Sequence, residues 1–278
     1  MMAFESAGKR IGSLNVNLMR LAMGALFLSG FCLVRRGLWL PLDATPHNWV
    51  WLSVSGLVGL TLGDMCLFKA FLLVGSRISA LIMAFVPVIS TLISWAFLGE
   101  LLSLRDQAGM MLTTLGIIMV VMRRSNGNAG ERPVGYPVKG LLLALGGATG
   151  QSVGLVFSKY GMGNYDAFAA NHIRLLAGLV GFGIIFLSTG RWRGVLPAVR
   201  RRSGVLFTAL GAFFGPFVGV SLSLYAVQHT QIGVAATIIA LVPVFIIAPA
   251  VLIKKERIGL RDVLGAVIAV TGSALLFL

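Results

Sequence analysis

The chain has 278 residues, of which 57% are hydrophobic and only 12% are charged, and its mean hydropathy is +0.92. A soluble core of this size needs far fewer apolar residues, so the composition excludes an ordinary soluble domain and predicts an integral membrane protein. The formal net charge is +14. Attraction of basic loops to anionic lipid headgroups explains this charge better than nucleic-acid binding, because the basic residues are dispersed over short loops.

Apolar segments of roughly 20 residues follow one another along the chain, each long enough to cross a ~30 Å hydrocarbon layer as a helix. The predicted spans, nine in all, cover residues 15–34, 49–73, 78–98, 106–122, 139–159, 166–188, 204–228, 232–253 and 260–278. The predicted fold class is therefore an all-α integral membrane protein. Polar stretches rich in Gly, Pro and Arg separate the helices, and the longest predicts a linker between two halves.

The two halves of the chain repeat one another. At an offset of 156 residues they share turn, cap and close-packing residues: Gly63 with Gly219, Pro87 with Pro243, Glu100 with Glu256, Asp106 with Asp262, Gly109 with Gly265, and Gly116 with Gly272. Chance similarity between apolar helices would not keep Glu and Asp in register, so the pattern indicates a duplication. The predicted domains are a first repeat at 1–124, a linker at 125–138 and a second repeat at 139–278.

The second repeat has one predicted helix more than the first. Arg20 matches Arg174 at an offset of 154, so the counterpart of the helix beginning at Lys139 would start before Met1. The first helix of repeat one is therefore predicted to be largely missing. A repeat of five helices, an odd number, predicts opposite orientations for the two halves, which is the inverted-repeat plan of many secondary transporters.

A resemblance to the EamA family of the drug/metabolite transporter superfamily is carried by four stretches and their echo in the second half: Gly63-Asp64, Ala80 to Pro87, Phe97 to Glu100, and Gly109 to Gly116, with Pro243, Glu256 and Gly265. The resemblance implies a bundle of ten helices, a central cavity between the repeats, and export or exchange of metabolites. It also implies that the C-terminus is cytoplasmic, whereas the distribution of Lys and Arg over the loops puts Leu278 outside by the positive-inside rule.

One acidic residue, Asp64, lies deep inside a predicted span, whereas the others lie in loops or at helix ends. A carboxylate near the bilayer centre costs on the order of 2.5–3.5 kcal/mol, so Asp64 is predicted to face the bundle interior and to pair or protonate. A substrate or proton site and a buried contact that fixes helix packing are both consistent with this. Arg20 and Arg174, early in their spans, are predicted either to snorkel or to face the cavity.

Three further residues join Asp64 in the predicted substrate or proton site: Lys69, Gln151 and Tyr225. Lys69 and Tyr225 occupy matching repeat positions, and Gln151 belongs to a helix that lines the cavity by resemblance. Helix kinks and close packing are predicted at Pro87, Pro243, Gly63 and Gly219. No catalytic residue, metal site or cofactor is predicted, because zincin, CxxC, nucleophile-elbow and phosphate-loop motifs are missing from the sequence.

The predicted function is secondary transport across the cell membrane, with export of a small amino-acid-like or drug-like metabolite by alternating access. Protonation of Asp64 is the predicted coupling to a proton gradient. The alternative is a membrane partner or regulator that transports nothing. The predicted partners are a small-molecule substrate and the lipid bilayer, without nucleic acid, and a homodimer is left open.

Overall fold

The computed structural model describes residues 13–123, 137–190, 202–241, 244 and 260–276. Over these ranges the chain is helical and contains no strand. Seven helices in this part of the chain are long and apolar enough to cross a membrane, and a shorter apolar helix covers Val263–Leu275. The all-α, multi-pass prediction is therefore confirmed. The predicted span 232–253 runs largely outside the described residues, and Pro243 and Glu256 lie there as well.

The helices follow the chain in the predicted order, and the ends of the spans that the structure describes lie within a few residues of the predicted ones; the predicted end at residue 253 lies outside the described residues. They are α1 (Ser13–Arg36), α2 (Pro46–Ser55), π1 (Gly56–Gly63), α3 (Asp64–Met83), α4 (Val86–Leu98), α5 (Leu104–Arg123), α6 (Val138–Met162), α7 (Ala167–Thr189), α8 (Arg202–Ala212), π2 (Phe213–Gly219), α9 (Val220–His229), α10 (Ile232–Ala240) and α11 (Leu260–Leu275). The segments π1 and π2 are π-helical turns within otherwise α-helical spans.

Local sequence explains where several helices begin and break. The Asp166 carboxylate caps α7 by accepting hydrogen bonds from the backbone of Phe168 and Ala169, at 3.1 and 3.0 Å. Gly75 interrupts α3 with a φ of +79°, a conformation that glycine adopts at little cost. Pro87 lies in the first turn of α4, where its missing N–H is not needed.

The two π-helical segments occupy matching positions in the two repeats. Their last residues are Gly63 and Gly219, which the sequence predicts as packing positions and which match at the repeat offset. A π-turn adds a residue to a helical turn and shifts the face on which later side chains lie. The helices that follow, α3 and α9, therefore begin after the same local distortion in both repeats.

The described chain divides into two compact units. The first comprises described residues of 1–65 and 157–229, and the second comprises those of 66–156 and 230–278. Each unit draws helices from both halves of the sequence. The unit boundaries fall within α3 and α6.

In the first unit, equivalent helices of the two repeats pack antiparallel. The Cβ position of Gly24 in α1 lies 3.2 Å from Leu175, and that of Gly178 in α7 lies 3.4 Å from Leu21. Gly24 and Gly178 are equivalent at the 154-residue offset that relates Arg20 to Arg174, and so are Leu21 and Leu175. The two contacts are therefore the same contact seen from each repeat. Leu21 and Leu175 belong to one buried cluster with Phe182 and other apolar side chains, which anchors α1 on α7.

In the second unit the last helices of the repeats, α5 and α11, form a second antiparallel pair. The Cβ position of Gly109 lies 2.8 Å from the carbonyl oxygen of Gly272, and that of Gly116 lies 2.6 Å from the carbonyl oxygen of Gly265. At the 156-residue offset Gly109 is equivalent to Gly265 and Gly116 to Gly272, so the two contacts are equivalent to each other. Thr113 Oγ1 also donates to the Ala269 carbonyl at 3.3 Å. Glycine at these positions lets the two backbones approach closely, as small residues do in membrane helix pairs.

Replacing Gly116 with alanine tests the contact between α5 and α11. The added methyl group would lie 2.4 Å from the backbone nitrogen of Ala269. Since the helices would have to move apart, we expect a loss of about 1–3 kcal/mol in the free energy of unfolding.

The control is Gly183→Ala in α7, because nothing lies within 4 Å of the Gly183 Cβ position. This variant should melt at the wild-type temperature in detergent or slightly above it, since alanine favours helix. Equal melting temperatures for the two variants would contradict the contact.

Candidate functional site

The interior of the first unit holds three charged side chains, which come from three helices. Arg20 of α1 donates from Nη2 to the carboxylate of Asp64, the first residue of α3. Arg174 of α7 also interacts electrostatically with Asp64. Asp64 is 6% exposed and Arg174 is 4% exposed. Within the membrane-spanning part of the chain, one guanidinium group thus binds this carboxylate and a second lies near enough to interact with it electrostatically.

The packing of π1 on α7 brings Asp64 into this cluster. A methyl group at Gly56 would lie 2.3 Å from the carbonyl oxygen of Arg174, so only glycine permits this approach of π1 to α7. At the other end of π1, Thr61 Oγ1 donates to the Gly178 carbonyl at 3.3 Å. Asp64 follows three residues later and is thereby held beside α1 and α7.

Buried polar side chains surround the charged residues along α1 and α7. Asn171 Nδ2 donates to the carbonyl of Pro216 at 2.7 Å and to Ser221 Oγ at 2.9 Å. His172 Nε2 lies 3.1 Å from Ser29 Oγ. These contacts tie α7 to π2, α9 and α1.

Several buried atoms of these helices lack a hydrogen-bond partner in the described part of the chain. They are both side-chain polar atoms of Asn17, Oδ1 of Asn171, Nδ1 of His172 and Nε of Arg174. A buried polar atom without a partner costs free energy, so native proteins rarely leave several together. All of these atoms lie on α1 and α7, the helices that also contribute Arg20 and Arg174 to the charged cluster.

The charges of the cluster do not cancel. Among the described residues, Arg20 and Arg174 each bring one positive charge to the cluster and Asp64 one negative charge, which leaves one positive charge in a region of low dielectric constant. A buried charge that is not offset is strongly unfavourable. The cluster is therefore chemically suited to an anionic group.

The sequence contains a signal for this site that the pattern of acidic residues alone does not reveal. Asn17 and Arg20 in α1 match Asn171 and Arg174 in α7 at the same 154-residue offset. An Asn-x-x-Arg pair is thus duplicated, with both residues on one helix face. The sequence prediction named Arg20 and Arg174 as residues that snorkel or face the cavity, and it named neither Asn as a site residue.

The predicted site residues are divided between the two units. Asp64 and Tyr225 belong to the first unit, whereas Lys69 and Gln151 belong to the second. Lys69 is exposed and Gln151 is half-buried. Of the four, only Asp64 lies in the charged cluster.

The family model described as the EamA-like transporter family matches residues 1–122 and 138–278. The chain belongs to this family. One solved crystal structure, described simply as that of a protein, shares the fold with a TM-score of 0.73; it is 18% identical in sequence, and the match covers 98% of this chain and 90% of that one. A search of curated proteins finds no match.

Membership of the EamA-like family has direct consequences for function. The protein is a transporter of the drug/metabolite type, and its family is one of transporters rather than of enzymes. Its apolar helices make it a multi-pass membrane protein. A transporter of this family binds small molecules within the bilayer, so charged side chains buried in its spans are candidates for solute contact.

Tyr225 of this EamA-like transporter lines a separate cleft at one end of the first unit. The cleft has a volume of about 670 Å³, and its lining includes Arg35, Asp166, Tyr225 and His229. Tyr225 is 54% exposed, with its ring 4.3 Å from that of His229. Arg35 lies about 22 Å along α1 from Arg20, at ~1.5 Å per residue, so the cleft is distinct from the charged cluster.

Ion pairs and hydrogen bonds connect the helix ends beside this cleft. Arg35 lies 3.5 Å from the Asp166 carboxylate, and Arg36 pairs with Asp43. The Tyr165 hydroxyl donates to Asp43 at 2.9 Å and accepts from Arg36 at 3.3 Å. Burial raises the pKa of Tyr165 to about 12; the hydrogen bond to Asp43 adds to this rise and the one from Arg36 opposes it.

The raised pKa of Tyr165 predicts a loss of stability in alkali. Between pH 10 and pH 12 the unfolded chain releases the Tyr165 proton while the folded protein retains it, so the free energy of unfolding falls as the pH rises through this range. The variant Tyr165→Phe lacks the phenol and should lose less stability over the same interval. Melting temperatures of both proteins in detergent, measured across that interval, test this prediction. Curves that fall in parallel would contradict it.

Proposed function

We propose that this protein is a secondary transporter whose solute binds at the cluster of Arg20, Asp64 and Arg174. The observation that carries the proposal is that Arg20 pairs with the buried carboxylate of Asp64, and that the buried Arg174 lies near this pair inside the membrane-spanning helices. Charged residues at such depth are costly to insert, so a stability role alone is a poor reason to keep them. The unpartnered polar atoms on α1 and α7 support the same location.

The proposed mechanism is alternating access by inverted repeats. Support comes from the antiparallel pairing of equivalent helices, α1 with α7 and α5 with α11. Helices related in this way provide two similar arrangements of one architecture, which is how inverted-repeat transporters expose a site to either side. Energy would come from an ion or solute gradient. The proposed direction is export of a small amino-acid-like or drug-like metabolite across the cell membrane.

We propose that the bond between Asp64 and Arg20 breaks during the transport cycle. Its carboxylate is bound to Arg20, so release of that bond would free a guanidinium group for the solute. Protonation of Asp64 is one way to release it and would couple transport to a proton gradient. Lys69, Gln151 and Tyr225 remain predicted solute contacts on which this proposal does not depend.

Replacing Asp64 with asparagine tests the proposed transport site. We expect cells that overproduce the wild-type protein to accumulate at least one metabolite in the medium. The variant at equal membrane abundance should export it about tenfold more slowly or worse, since a hydrogen bond to a charged group contributes about 1.5–3 kcal/mol. Export that continues unchanged after the pH gradient is collapsed would contradict proton coupling.

The matched control is Asp106→Asn. Asp106 accepts hydrogen bonds from the backbone and the hydroxyl of Ser103 at the start of α5, outside the cluster. This variant should export at close to the wild-type rate. Solute flux by purified protein in liposomes then separates transport from a regulatory role: a protein that forms a stable complex with a partner and carries no solute would contradict the proposal.

A further inference from the structure

The surroundings of Arg20 in the first repeat differ from those of Arg174 in the second. In the first repeat Arg20 is paired with Asp64. In the second repeat, the equivalent of Arg20 is Arg174, at the offset of 154 residues. The equivalent of Asp64 is Val220, at the offset of 156 residues. The position equivalent to Asp64, which provides a carboxylate to Arg20, is therefore occupied in the second repeat by the apolar side chain of Val220.

This equivalence of positions is visible in the packing and not only in the alignment. The Cβ position of Gly24 lies 3.0 Å from Cβ of Pro216 in π2, and that of Gly178 lies 3.5 Å from Cβ of Leu60 in π1. Gly24 matches Gly178 at the first offset, and Leu60 matches Pro216 at the second. Residue 220 follows π2 just as residue 64 follows π1.

Polar contacts also place the start of α9 beside α7. Asn171, one turn before Arg174, donates to Ser221 Oγ at 2.9 Å. Ser221 is the neighbour of Val220, and Val220 itself is half-buried. By this repeat equivalence, we expect a carboxylate at position 220 to start from a place beside α7 comparable to that of Asp64 beside α1.

The described surroundings of Arg174 lack a group that binds its guanidinium. Arg174 is 4% exposed, and its Nε has no hydrogen-bond partner among the described residues. The nearby Asp64 is already bound by Arg20. The described part of the cluster thus carries one more positive than negative charge. On α1, Asn17 lies on the same helix face as Arg20. Both polar side-chain atoms of Asn17 are buried and have no hydrogen-bond partner among the described residues.

We propose that the solute supplies the carboxylate that the second repeat lacks: a small monoanion binds the Arg174 guanidinium at the place that Asp64 occupies in the first repeat. The inference rests on the proposed function, because the ligand is the transported solute. Arg174 provides the charge, in a bond of the kind that arginine forms readily with carboxylates. Oδ1 of Asn171, one turn from Arg174, would accept a hydrogen bond from a donor next to the carboxylate. The substrate class is therefore small carboxylic acids that carry an amino or hydroxyl group.

The substitution Val220→Asp builds the missing carboxylate into the chain. In lipid-free detergent micelles at constant ionic strength, sodium acetate should raise the melting temperature of the wild-type protein, because a ligand that binds only the folded state stabilises it. Acetamide and methylammonium, which lack the negative charge, should not. In Val220→Asp the aspartate already occupies the site, so the acetate shift should disappear and the variant should melt higher without acetate.

Two further variants keep the test decisive if Val220→Asp does not fold. The control Val220→Asn has nearly the same side-chain shape without charge and should retain the acetate shift. Arg174→Gln should weaken the apparent acetate affinity at least about tenfold, whereas Arg174→Lys, which keeps the charge, should recover part of it. An acetate shift of equal size in wild type, Val220→Asp and Arg174→Gln would overturn the proposal, as would an equal shift with acetamide.

Failure of this inference and failure of the proposed transport have different signatures. Solute flux in liposomes without an acetate shift would overturn the carboxylate site and leave transport standing. An acetate shift that depends on Arg174, in a protein that moves no solute, would support the site as an anion-binding site and overturn its role in transport.

Discussion

The bond between Arg20 and Asp64 is the interaction on which the first unit depends. Each side chain alone would be costly in the apolar interior of a membrane protein, and removing one partner of a buried pair costs about 3–5 kcal/mol because the other charge is left alone. The pair forms only because π1 packs closely on α7 and delivers residue 64 to α1. Glycines at the helix contacts therefore serve the charged site as well as the packing.

Duplication explains both the similarity and the difference between the two sides of this site. Equivalent helices meet as antiparallel pairs, and the same π-turn precedes α3 and α9. Within these equivalent helices, Arg20 has the counterpart Arg174, whereas Asp64 has the apolar counterpart Val220. The symmetry provides two comparable arrangements of the helices, and the missing carboxylate provides a place for a charged solute. A transporter needs both, since it must expose one site to two sides and must bind something there.

Much of the fold was predictable because its causes are local. Span lengths follow from runs of apolar residues, and the register of the repeat follows from glycines, prolines and acidic residues that recur at one offset. Asp64 was recognisable because a lone carboxylate in an apolar span needs a partner. The identity of that partner was not, since it depends on how α1, π1 and α7 pack. The match of Tyr225 to Lys69 suggested a shared cavity. Tyr225 lines a cleft near the end of α9, a position that depends on how the helices pack, and its contact with a solute stays a prediction.

Exchanging the two charges of the central pair tests the account most directly. Arg20→Asp and Asp64→Arg each destroy the pair, whereas the double variant restores it with the total charge of the cluster unchanged. We predict that each single variant melts lower in detergent and loses solute flux in liposomes, and that the double variant recovers a large part of both. A double variant no better than the worse single one, or single variants that behave like the wild type, would contradict the central role of this ion pair.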